Sequence, residues 1–84
     1  NEVVPDGDAL AAARRLAAQI LELSPMSIRA SKQTVLRGLD EPSLEAAMKN
    51  QANYPAVVAM RASKDAVEGP LAFSEKRPPR WSGS

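Results

Sequence analysis

The chain has 84 residues, with 11 basic and 10 acidic side chains and neither Cys nor His. That length allows one small domain at most, and the near-balanced charge provides no general field for nucleic acid or a membrane surface. Without Cys or His, disulfides, thiolate chemistry and the commonest general base and metal ligand are excluded, and no metal site is expected. Glu2-Val3-Val4 is a short β-like run closed by the turn signal Pro5-Asp6-Gly7. Residues 1–5 therefore read as the end of a strand whose sheet lies in a missing N-terminal part. A first residue of Asn fits the same expectation.

The stretch from Asp8 to Leu23 carries Leu10, Ala13, Leu16, Ala17, Ile20 and Leu21 at helical spacing. Asp6 or Asp8 can cap it or complement its dipole. Ser24-Pro25 restarts the chain as N-cap and first helical residue. A second helix is expected from Pro25 to about Arg37, with Gly38 as its stop. Asp40-Glu41-Pro42-Ser43 opens a third helix, from about Ser43 to Arg61, with a kink or break near Asn53-Tyr54 because Pro55 lacks an amide hydrogen. Ser63 caps a short fourth helix with Asp65 in its first turn. The helical region spans residues 6–77, and Gly69-Pro70 inside it predicts a bend or restart. Residues 78–84, PPRWSGS, read as an extended tail.

The core looks thin. Leu, Ile, Val and Phe together number 17 of 84 residues, while Ala alone numbers 15. A chain near the lower compositional limit for a self-sufficient core is expected to complete it against another surface. No apolar run reaches the roughly 20 residues of a membrane span, and no signal-peptide pattern opens the chain, so a cytoplasmic location is expected.

Asp and Glu are the only acid–base candidates left. Glu41 and Glu45, and Asp65 and Glu68, are spaced to share a helical face, but both pairs sit at helix starts, where the dipole alone accounts for them. The serines have no His to activate them, and the scattered glycines form no phosphate loop. Lys76, Arg77, Arg80 and Trp81 are too few for a nucleic-acid face. Phe73 and Lys76 allow two readings. Three residues apart on a helix, they offer a flat apolar face and a point charge to a phosphate-bearing ligand. Equally, Phe73 anchors the last helix in a core and Lys76 is simply solvated.

Several motifs, in order, resemble the C-terminal part of the enoyl-CoA hydratase/isomerase family, the crotonase superfamily. They are NEVVP, ALAAARRLAAQILELSPMSIRASKQTVLRG, SLEAAM and SKDAVEGPLAFSEKRPPRWSG. Tyr54-Pro55 with EGPLAFSEKRPPRW is most similar to the carnitinyl-CoA dehydratase branch. The resemblance implies a mainly α segment, a strand stub and then four helices, forming the helical trimerisation region of an α/β ββα-spiral fold. It implies an acyl-CoA thioester substrate, no tightly bound cofactor, and assembly as a homo-oligomer, a trimer or a pair of trimers. The catalytic residues would lie upstream and none in this segment. Phe73 and Lys76, in the closing AFxEK pattern, would approach the CoA of a neighbouring subunit. The competing reading is a free-standing helical oligomerisation module without a ligand.

Overall fold

The computed structural model describes residues 2–84 and contains five α-helices. Asn1, which belongs to the expected strand end, lies outside the described residues. No strand occurs among those described; Glu2–Pro5 has no ladder partner and is tied to the first helix by an exposed Arg15–Glu2 ion pair of 3.7 Å.

Helix α1 spans Ala9–Leu21. A turn through Gly7, at φ 88°, leads into it, with the Asp8 amide donating to the Pro5 carbonyl. Asp8 stands at the N-cap but its carboxylate makes no capping bond, so it serves the helix by charge alone. Helix α2 spans Pro25–Gly38. Pro25 sits at the first helical position, where its missing amide hydrogen is no loss. Gly38 is the last helical residue, yet its φ is not positive; the chain leaves through ordinary tight turns at Asp40 and Glu41. The stop is therefore not a left-handed glycine cap.

The long third helix expected from the sequence is two helices. Helix α3 spans Leu44–Asn50 and is capped by Ser43, whose Oγ accepts from the Ala46 amide at 3.1 Å. A 3-10 turn over Gln51–Asn53 follows, and Tyr54 is extended, as a residue preceding proline prefers. Helix α4 then spans Pro55–Arg61. Its start is capped from a distance: Gln33 of α2 accepts from the Ala56 amide through Oε1 at 2.7 Å. Helix α5 spans Asp65–Ser74. Ser63 accepts from the Ala66 amide at 3.1 Å, the cap expected of it. The restart allowed for at Gly69-Pro70 does not occur: α5 runs through both residues.

Helices α2 and α4 pack closely, and the core between them is Ala30, Tyr54 and Val57, flanked by Ala56 and Met60. The Tyr54 hydroxyl donates to Glu41 Oε1 at 2.9 Å, and the Asn50 side chain donates to Glu41 Oε2 at 3.2 Å. Desolvation, reinforced by the Glu41 carboxylate, raises the Tyr54 pKa, so the phenol stays a donor. The accessible surface is 6755 Å², against about 4,900 Å² for a self-contained monomer of this mass. The radius of gyration is 16.0 Å, where about 12 Å is usual for this length. Leu10, Leu16, Leu21, Leu39, Leu44 and Met48 stay exposed, so the apolar stripes read from the sequence exist but face outward.

Replacing Gln33 by Ala removes the acceptor for the Ala56 amide and should cost about 1 kcal/mol, in the range of lost N-caps. Gln33→Glu keeps an acceptor at the helix start and should stay near the wild-type stability. Thermal unfolding of the three proteins checks this; equal losses in both variants would mean that Gln33 acts by packing and not as a cap.

Candidate functional site

The end of α5 is where sequence and geometry converge. Phe73, in its last turn, is 87% exposed, so it anchors no core within the described residues. Lys76 is not on the helix, as the spacing argument assumed, but in the turn that closes it. Its φ of 55° makes it the one non-glycine residue with positive φ among those described. The Arg77 amide donates to the Ala72 carbonyl at 3.1 Å and the Lys76 amide to the Phe73 carbonyl at 3.2 Å. These two bonds form a Schellman cap with Lys76 in the left-handed position that glycine normally takes. For a residue with a Cβ, that conformation costs roughly 1–2 kcal/mol.

The side chains on either side of Lys76 are already paired. Arg77 donates through Nε to Glu75 at 2.7 Å, and through Nη1 and Nη2 to the two oxygens of Glu68 at 2.6 and 3.1 Å. Lys76 is exposed and takes part in no ion pair among the described residues. Glu68 also accepts the Arg80 amide at 2.8 Å. The Arg77 hydrogen bonds, helped by the Arg80 amide, lower the Glu68 pKa to about 2.

One turn earlier, buried Asp65 binds the far end of the tail. It accepts the Ser82 amide at 2.8 Å, the Ser82 hydroxyl at 3.0 Å and the Gly83 amide at 2.9 Å. Ser24 Oγ donates to it at 3.4 Å, and this is what Ser24 does in place of the capping expected of it. These bonds, the Ser82 amide first, hold the Asp65 pKa below the usual carboxylate value. Between the two acids, Trp81 lies against Gly69: a Cβ added there would stand 3.3 Å from the indole ring. The indole Nε1 donates to the Glu22 carbonyl at 2.9 Å.

Asp65 and Glu68, which the sequence assigned to the helix dipole, are thus the anchors of the tail. Both are kept ionised, the opposite of what a general acid needs. Glu41 is occupied by Tyr54 and Asn50. The signal that could have revealed the arrangement was Gly69, since a glycine inside a helical pattern often marks a close approach. No cluster of three or more potential metal ligands occurs among the described residues. Among the described residues no helix is long and apolar enough to cross a membrane.

The profile of the enoyl-CoA hydratase/isomerase family matches residues 1–84, and the chain belongs to this family. It is 39% identical to the carnitinyl-CoA dehydratase of Salmonella arizonae over 88 residues, which cover 99% of this chain and 32% of that protein. The enoyl-CoA hydratase of Mycobacterium tuberculosis H37Rv superimposes with a TM-score of 0.86 at 33% identity, covering 100% of this chain and 32% of that one. A probable enoyl-CoA hydratase/isomerase from Mycobacterium abscessus gives 0.84 at 36%, with 100% and 32% covered. The chain therefore spans about a third of the length of the relatives it matches, and it corresponds to the helical C-terminal part of the crotonase fold.

The Glu68 pKa has a consequence for pH. Because it is depressed, the stabilisation from the Glu68–Arg77 pair is complete above the ordinary glutamate range and is lost as pH falls through about 2. The 13C shift of the Glu68 carboxyl should titrate near that value, and in Arg77→Gln its midpoint should return toward the ordinary glutamate pKa. A wild-type midpoint already at the ordinary value would mean that the pair does not persist in solution.

Proposed function

We propose that these 84 residues are the helical closing segment of an enoyl-CoA hydratase or dehydratase, serving subunit assembly and the edge of the CoA site. In this reading residues 1–5 end a strand of an upstream spiral domain, 6–77 form the helical region and 78–84 its tail. The parent enzyme acts on an acyl-CoA thioester in the cytoplasm without a tightly bound cofactor. Its chemistry resides outside residues 1–84, and none of the carboxylates described above takes part. The dehydratase branch is favoured by the name carried by the Salmonella relative.

The observation that carries the reading is the end of α5, where Phe73 is exposed and Lys76, held in a strained turn, makes no ion pair among the described residues. A flat apolar face suits a base or an acyl chain, and a point charge suits a phosphate. Phe73 and Lys76 then face the CoA of a neighbouring subunit. The outward apolar stripes of α1 and α3, and the excess of exposed surface, support assembly into a trimer or a pair of trimers. The same surface also favours the second reading, a helical oligomerisation module that binds no ligand.

In the full-length protein, Phe73→Ala and Lys76→Ala should each raise KM for a CoA thioester about fivefold, as loss of one exposed contact of about 1 kcal/mol predicts. KM unchanged in both variants would remove CoA from this site. Native mass spectrometry separates the two readings: assembly in threes with one CoA mass gained per subunit supports the enzyme, whereas an assembly blind to CoA supports the module.

A further inference from the structure

We propose that Glu68, Arg77 and Trp81 are positioning residues: their contacts clamp the tail along α5 and so fix the turn that presents Lys76. The proposal rests on the reading of Lys76 as a CoA contact. Its starting point is the conformation of Lys76 itself. A lysine has no intrinsic reason to sit at φ 55°. Backbone strain of this kind persists only where the surroundings over-determine it.

Here the surroundings act from both sides of the turn. Arg77 follows Lys76 directly, and its amide makes the outer bond of the cap, to Ala72. Its guanidinium reaches back to Glu68 and grips both carboxylate oxygens, a planar two-point fit that fixes direction as well as distance. Glu68 then takes the Arg80 amide, so one carboxylate holds the chain at residues 77 and 80. Between these points run Pro78 and Pro79, whose fixed φ keeps the connection stiff. Trp81 completes the clamp by laying its ring on Gly69 and bonding the end of α1 at Glu22.

The clamp has a second effect. Glu75 lies next to Lys76 in the chain, and its carboxylate makes no ion pair with Lys76 among the described residues. Arg77 takes Glu75 as well, at 2.7 Å. Arg77 thus holds the turn and also occupies the carboxylate adjacent to Lys76 in the chain, leaving the Lys76 ammonium for an anionic ligand. A lysine at position 77 would keep the charge but lose the fork.

The test is a double-mutant cycle on CoA binding by the full-length protein, read by calorimetry. Glu68→Gln should weaken Kd for CoA about three- to tenfold when Lys76 is present, and by less than about twofold in the Lys76→Ala background, the non-additivity expected of coupled residues. Trp81→Ala, which removes the indole contacts with Gly69 and Glu22 and leaves the Glu68–Arg77 pair and α5 chemically intact, should follow the same pattern. Equal weakening with and without Lys76 would assign the clamp a purely structural role and overturn the proposal, as would no weakening at all. Lys76→Ala binding CoA as the wild type does would instead overturn the reading of Lys76 as a CoA contact. Amide exchange then decides the clamp: exchange over residues 76–84 about tenfold faster in Glu68→Gln supports it, by release of a local opening equilibrium, and unchanged exchange overturns it.

Discussion

The carboxylate of Glu68 is the point on which the end of this chain depends. It is only half-exposed, it is bound by two nitrogens of Arg77 and by the Arg80 amide, and it lies one helical turn from Asp65, which binds Ser82 and Gly83. Acids three apart on a helix share a face, and here the shared face serves as a rail for seven residues with no regular structure of their own. The polar groups of an irregular segment need partners; the tail finds several of them on α5. The helix dipole, which alone would explain acids at this position, also favours their ionised form, so the two roles reinforce each other.

The rest of the molecule is held more loosely. Among the described residues the most closely packed helix pair, α2 with α4, meets through Ala30, Tyr54 and Val57, and no large side chain is fully buried. Helix α1 has no comparable helix partner among the described residues, and it is joined to the remainder at its end, where Glu22 and Ser24 meet Trp81 and Asp65. An arrangement with so much apolar surface left outside keeps its shape through point contacts: caps, ion pairs and one indole. That is the architecture expected of a segment whose broad faces belong to an interface, since helices packed fully on one another would have no apolar stripe left to offer.

The helices themselves were legible because their signals are local. Ser43, Ser63 and the prolines at positions 25 and 55 act through their own first turn, and each marks a helix start in the structure. The break at Tyr54 follows from one pyrrolidine ring. What could not be read was anything that depends on a distant partner. Ser24 forgoes its own helix for Asp65, 41 residues away, and Gln33 caps a helix that begins 22 residues later. Spacing says which residues share a face but not what that face meets, so Asp65 and Glu68 looked like ordinary helix-start acids. The periodicity of α1 was likewise real, but it could not say that the stripe would remain uncovered within these residues.

Gly69-Pro70 shows how a pair of breakers can preserve a helix. Pro70 cannot donate to the Ala66 carbonyl, and its ring normally drives the preceding residue out of the helical region, partly by collision with that residue's Cβ. Gly69 has no Cβ, so that part of the collision is absent, and α5 continues to Ser74. The same missing Cβ leaves the space into which Trp81 packs. One glycine therefore meets two demands that any other residue would set against each other, and Pro70, on the exposed side, narrows the unfolded ensemble without disturbing the packed one. Had the helix broken there, Phe73 would have been uncoupled from Glu68, and with it the turn that carries Lys76. Continuity through the two least helical residues in the segment is what lets a contact on one turn of α5 govern a side chain beyond its end.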